Sequence, residues 1–282
     1  MALKPRAVIA NVAVALLTLA TIAPLGWMVL VSFMPRGASS MLPPPLWPSR
    51  WTLENYHELL ARRLIDGAWF DYRIVPALWN SLAVAAVSTL LGLLLTVPAG
   101  YAFAKLRFTG RERLLKLLIA SLVVPGQVAM LPLFLIFRAL GLVNSYAGLI
   151  LPSLAGIFAI LFVRQATLAI PDEMIDAARL DGASEHRIFV SIVLPLLSPI
   201  VVTLALFMFL GSWNDFLWPL IVLADQQMYT LPVAVAAIAR EHAADGELMM
   251  AAAVVTTMPV LALFLALQRY YLTGLLGGSV KG

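Results

Sequence analysis

The chain has 282 residues, 62% of them hydrophobic and 12% charged, with a mean hydropathy of +0.93 and a net charge of +4. Water-soluble domains carry about a quarter charged residues, so this chain lacks the charge to cover a soluble surface, and its apolar residues arrive in blocks suited to lipid. The absence of cysteine excludes a disulfide framework, a thiol nucleophile and a thiolate metal site. The basic residues flank the apolar blocks and form no stripe, which makes a lipid bilayer the expected partner and excludes nucleic acid.

The first block covers residues 8–33, behind Lys4 and Arg6. The apolar region of a signal peptide is about 7–15 residues, so this longer block is expected to be a retained membrane helix. Residues 34–75 change character and form an external loop. Within it the run MLPPPLWP at 41–48 is stiff, because each proline fixes φ and restricts the residue before it. Thr52 is placed to cap a short helix with Leu53, Tyr56 and Leu60 on one face.

Five further blocks follow, at 77–104, 114–137, 146–163, 194–223 and 248–267, the second of them interrupted by Pro125 and Pro132. At ~1.5 Å per residue each can cross a ~30 Å hydrocarbon layer. Six transmembrane helices give an all-α polytopic membrane protein with both termini on one side. No soluble domain is left over, and 1–282 reads as a single transmembrane domain.

Lys105, Arg107, Arg111, Arg113 and Lys116 lie between spans two and three, with Lys4 and Arg6 before span one and Arg269 and Lys281 after span six. The alternate loops carry only Arg138 and Arg240. Excess Lys and Arg mark the cytoplasmic side, so both termini and the loop at 170–193 are expected inside, and 34–75 outside.

That cytoplasmic loop is unusually regular. Pro171 suits a first helical position, and Asp172 and Glu173 favour the positive end of a helix dipole. Met174, Ala177, Ala178 and Leu180 make a small apolar face, and Gly182 suits the turn that ends the helix. Ser184 can cap a second short helix with Ile188, Phe189 and Ile192 on its apolar face, and Pro195 opens the fifth span. Two short helices with small residues on one and charges at the rim (Asp176, Arg179, Asp181) make a knob that fits a groove on another protein. The same segment could instead lie on the headgroups as a solvated amphipathic loop.

The spacing Asp176-Ala177-Ala178, three residues, Gly182, nine residues, Ile192-x-Leu194-Pro195 resembles the cytoplasmic signature loop of ABC importer permeases, EAA–x3–G–x9–I–x–LP. The match departs only at Asp176, where the family usually has the longer Glu. Within that family the chain is most similar to the smaller membrane subunit of maltose-type sugar importers, with further matches at Trp213-Asn214-Asp215-Phe216, Trp218-Pro219, Gln268-Arg269 and the ending Gly278-Ser279-Val280-Lys281-Gly282. The resemblance implies a type I importer permease fold in a bacterial or archaeal inner membrane. It also implies a second permease subunit that is a different chain, an external solute-binding protein, and a dimeric ATPase seated against the 171–192 loop. ATP and Mg would belong to that ATPase, and the tail at 268–282 would reach toward it. The chain has no G-x-x-x-x-G-K-[ST] loop to cradle a phosphate, so it needs a motor in trans.

Polar side chains inside spans are costly and often functional. Asn80, Gln127 and Asn214 are the candidates for a solute pathway, whereas Asp215 reads as an interfacial cap beside an aromatic belt of Trp213 and Trp218. His57, His186 and His242 fall in separate loops with no metal-ligand spacing, and no catalytic constellation converges. The expected cargo is a sugar or oligosaccharide, the alternative another small polar solute such as a glycerol phosphate derivative. An ion-coupled secondary transporter would show inverted repeats with a buried acid at the midplane, and no second half mirrors the prolines at 125 and 132.

Overall fold

The computed structural model describes residues 5–60, 63–65, 68–70, 73–241 and 245–276. In chain order the elements are α1 (Pro5–Ser32), α2 (Glu54–Leu60), β1 (Arg63–Ile65), β2 (Ala68–Phe70), α3 (Ile74–Lys105), α4 (Arg111–Ser121) and α5 (Gly126–Ala139). They continue with α6 (Tyr146–Ile150), α7 (Ile157–Leu168), α8 (Asp172–Leu180), α9 (Glu185–Ile188), α10 (Leu194–Trp213), α11 (Leu217–Val222), α12 (Leu231–Glu241) and α13 (Gly246–Leu276). Among the described residues five helical runs are long and apolar enough to cross a membrane: Ala10–Ser32, Ile74–Lys105, Tyr146–Leu168, Glu185–Trp213 and Gly246–Ala266. The third expected span, 114–137, is a pair of helices, α4 and α5, bent by 104° at a break over 122–125 that contains Pro125. Proline has no N–H and disfavours helix in the residue before it, which ends α4 and lets α5 start in a new direction.

The chain divides into two compact units. The first joins Met1–Val75 to Leu231–Pro259. Here the external loop has its own structure, including one short antiparallel hairpin in which Leu64 pairs with Trp69. Asn55 and Leu59 of α2 pack inward, with Thr52 just before the helix, and Leu53 and Leu60 of the expected face point outward. The cause is Asn55. Its Nδ2 donates to the carbonyls of Ser32 and Met34, both at 2.9 Å, closing acceptors that the end of α1 leaves open. Arg36 pairs with Glu58 and, at 3.3 Å, with Asp245, and buried Glu247 accepts the Ser39 N–H at 2.6 Å.

The second unit joins Pro76–Thr230 to Val260–Gly282. Its helix α3 has 32 residues, about 48 Å at ~1.5 Å per residue, so it outruns the hydrocarbon layer. One apolar cluster forms near the start of α3, where Val84, Phe137, Leu149, Trp218 and Val222 meet. Trp218 sits edge-on to Phe137 and donates its indole N–H to the Gly148 carbonyl at 2.9 Å. Trp218 and Trp213 are therefore packed inside and are not a lipid-facing belt. A second cluster forms near the far end of α3 from Val97, Tyr101, Ala159, Val163, Ile175, Ile188 and Leu197. Close approach of α3 and α7 there depends on Gly100, since a Cβ would stand 2.6 Å from Val163.

Candidate functional site

The signature loop stands on this second cluster. Helix α8 begins after Pro171 and ends in a Schellman turn: Ala183 N–H bonds to the Ala178 carbonyl and Gly182 N–H to that of Arg179, each at 3.0 Å. Gly182 holds φ +79°, the left-handed conformation such a turn requires. Ser184 then caps α9 by accepting the Arg187 N–H, at 3.3 Å. The second helix of the knob is not a separate short one. It flows through one π turn, Phe189–Val193, into α10, so that Glu185–Trp213 is a single run and the fifth span begins ten residues before Pro195. A proline ring collides with the carbonyl four residues back. The widened turn carries Leu194 N–H to the Phe189 carbonyl and gives Pro195 room inside the helix.

Two faces of α8 differ. Ile175, 1% exposed, is the root that enters the core, and Ala178 is half-buried beside it. Met174, Ala177 and Leu180 face outward, Leu180 being 89% exposed. Ile188 is fully buried, and Ile192 and Leu194 are half-buried around the π turn.

A polar chain fixes the knob to the C-terminal end of α3. Arg179 donates from Nε to Glu185 Oε1 at 2.7 Å and from Nη1 to Asp176 Oδ1 at 2.8 Å. The other oxygen of Glu185 accepts the Tyr101 hydroxyl at 2.7 Å. One turn further along α3, Lys105 donates to the Ile170 carbonyl at 2.6 Å and to Asp172 Oδ1 at 2.5 Å. The Lys105 hydrogen bond, then its charge, holds the Asp172 carboxyl below the usual aspartate range. The Glu185 hydrogen bond raises Arg179 above the ordinary arginine value, so it stays charged. Asp176, Arg179, Gly182, Ile188 and the I-x-L-P residues thus belong to one assembly, while Asp181 stands exposed at its edge. Tyr101, Lys105, Ile175 and Glu185 complete it. The signal for the first two was their i, i+4 spacing at the C-terminal end of a span, where Lys105 otherwise counts only toward orientation.

The three polar candidates for the pathway lie on different elements. Asn80, near the start of α3, donates to the Gln227 and Tyr229 carbonyls at 2.8 and 3.1 Å and accepts the Tyr146 hydroxyl at 2.8 Å. Asn214 ends α10 and donates back to the Leu210 carbonyl at 3.0 Å. Gln127 lies exposed in the first turn of α5. Asp215 Oδ1 meets the Trp218 N–H at 3.5 Å, a long capping contact. Among the described residues no group of His, Cys, Asp and Glu is placed to hold a metal ion. His242 and the tail at 277–282 lie outside the described residues, and 268–276 continue α13.

Residues 92–275, which contain α8 and α9, match the model of the family described as binding-protein-dependent transport system inner membrane component. The chain belongs to that family. It is 38% identical to the arabinooligosaccharides transport system permease protein AraQ of Halalkalibacterium halodurans, over 83% of this chain and 81% of the relative. It is 37% identical to the lactose transport system permease protein LacG of Rhizobium radiobacter, over 72% and 74% of the two chains. Among solved structures, a chain of a bacterial ABC transporter that imports the acidic polysaccharide alginate superposes with a TM-score of 0.81 at 20% identity, covering 96% of this chain and all of that one. That likeness is one of fold, and the fold is that of an ABC importer permease. As a family member the chain is a multi-pass inner membrane permease subunit without a catalytic site of its own.

Proposed function

We propose that this permease passes a sugar or oligosaccharide, delivered by an external binding protein, and is driven through the knob at 171–195 by an ATPase in trans. The observation that carries the reading is the signature spacing folded into a rigid, two-faced knob. Ile175 and Ile188 root it in the core, and Met174, Ala177 and Leu180 remain on its outer face. An exposed apolar stripe rimmed by Asp176, Arg179 and Asp181 suits a cleft on a protein partner, the charges setting orientation more than affinity. ATP and Mg are bound by that partner, and both termini are cytoplasmic. The second permease is a different chain, and together with 1–282 of this one it encloses the pathway. The sugar class follows the names of the relatives, transport permeases for arabinooligosaccharides and lactose.

Of the three polar candidates we assign solute contact to Gln127. The amide of Asn80 is already committed to three partners, and that of Asn214 donates into its own helix.

The test is reconstitution of the chain with its ATPase and second permease in proteoliposomes. Loaded binding protein accelerates ATP hydrolysis, and solute accumulates inside. Replacing Gly182 with Val leaves the spans inserted and lowers solute moved per ATP. Normal transport by that variant would sink the coupling role of the loop.

A further inference from the structure

The basic run between α3 and α5 has a shape that an orientation count does not use. Phe108 packs edge-on against Phe103 at 5.7 Å, and Arg111 Nη1 donates to the Leu106 carbonyl at 3.2 Å, so the turn after α3 is pinned. Helix α4 then runs 11 residues, about 16 Å at ~1.5 Å per residue and only half of a ~30 Å hydrocarbon layer. Because α5 departs at 104°, the two helices cannot both run along one crossing.

The composition of α4 is two-sided. At about 100° per residue, Glu112, Arg113 and Lys116 share one side, and Leu114, Leu117 and Leu118 the other. Leu115 alone is buried, while Leu114 and Leu117 are 48% and 67% exposed. Arg107 and Arg113 flank a surface groove at the start of the helix. Arg111 is committed to Leu106 and Glu112. Arg107, Arg113 and Lys116 are exposed and make no ion pair among the described residues.

We propose that α4 is an interfacial elbow lying on the cytoplasmic leaflet, with Arg107, Arg113 and Lys116 holding the phosphates of anionic phospholipids and Leu114 and Leu117 inserted among the acyl chains. The inference rests on the orientation given under Proposed function. Charge commits the surface to anionic lipid: a cluster of cations on an amphipathic helix next to a membrane span attracts acidic headgroups. The third crossing is then carried by α5 with the turn that precedes it. In that turn the N–H groups of Leu122, Val123 and Val124 bond to the carbonyls of Ile119, Ala120 and Ser121, each at 3.2 Å, so these three amides enter the bilayer with their partners already made.

The experiment uses the whole transporter, with its second permease and ATPase, in nanodiscs of phosphatidylcholine with and without phosphatidylglycerol. Native mass spectrometry counts retained phosphatidylglycerol. The variant R107Q/R113Q/K116Q retains it on the order of tenfold less well, and retention by the unmodified protein falls as salt rises. A separate arm needs no charge change. The chain has no cysteine, so a nitroxide on Leu117→Cys, attached before assembly, reports one site. It is reached by oxygen and shielded from a water-soluble nickel reagent. Unchanged retention in the triple variant overturns the proposal, as does free access of the nickel reagent to the label. Shielding that appears only when the ATPase is present would mean a protein covers α4, and displacement of the lipid by millimolar inorganic phosphate would mean a free-anion site. Either would also overturn it. If the elbow fails while Gly182→Val still uncouples transport from hydrolysis, the coupling role of the loop stands without it.

Discussion

The Lys105 side chain is 6% exposed and its Asp172 partner 77% exposed, so the pair is wet at one end and buried at the other. Such a pair adds little to stability and serves to fix where α8 starts relative to α3. Its pH dependence has a definite sign. The folded state holds Asp172 below its ordinary value, so the contribution is complete above about pH 4, the unperturbed aspartate range, and fades as pH falls through the lower folded value. Thermal unfolding of the wild type and Asp172→Asn should therefore differ by a constant amount from pH 7 to about pH 4. The two curves should converge below that. Gly182 makes a different residue-scale argument. No atom lies within 4 Å of where its Cβ would be, so a substitution there meets only the strain of φ +79°. That strain is about 1–2 kcal/mol for ordinary residues, and Asn tolerates the left-handed region better than Val does. Gly182→Asn should keep most of the solute moved per ATP that Gly182→Val loses. Equal loss in both would show that the glycine is needed for bare surface and not for its backbone.

Helix α8 has 9 residues, and Ile175 is its one fully buried side chain. Truncating a fully buried isoleucine removes about 2–5 kcal/mol, more than an isolated short helix has to lose. Ile175→Ala should therefore loosen the knob locally. Limited proteolysis should then cut within 172–184 while the spans stay protected, and equal protection in both proteins would count against Ile175 as the root. Much of this element was legible in the sequence: the Pro171 start, the Gly182 turn and the Ser184 cap are each set by the local chemistry of one residue. Its inward face was not. Met174, Ala177, Ala178 and Leu180 repeat at helical spacing as well as Ile175 and Ala178 do, and only the tertiary contacts choose between them. The reach of the fifth span was hidden for a related reason. Pro195 reads as a helix start, yet the π turn lets it sit ten residues inside one, and the helix stops at Trp213 because Asn214 and Asp215 turn back on its last carbonyls.

At the scale of the molecule, side is decided by charge. Lys105, Arg107, Arg111, Arg113 and Lys116 cluster in one loop, while Arg138 and Arg240 stand alone in the alternate loops. Translocation disfavours short loops rich in Lys and Arg, and on that rule we propose the 170–193 loop for the inside and 34–75 for the outside. Two side chains stand far enough from the surface to test both assignments at once: Leu42 is 96% exposed and Leu180 is 89% exposed. Since the chain lacks cysteine, Leu42→Cys and Leu180→Cys each introduce a single target for a membrane-impermeant maleimide. In intact cells Leu42→Cys should react and Leu180→Cys should not, and permeabilising the cells should open the second site. The coupling role adds a further condition. Leu180 lies on the outer face of α8, which we propose meets the ATPase, so coexpressing that subunit should slow labelling of Leu180→Cys and leave Leu42→Cys unchanged. Reaction of Leu180→Cys in intact cells would invert the molecule, and labelling indifferent to the ATPase would leave the knob without its motor.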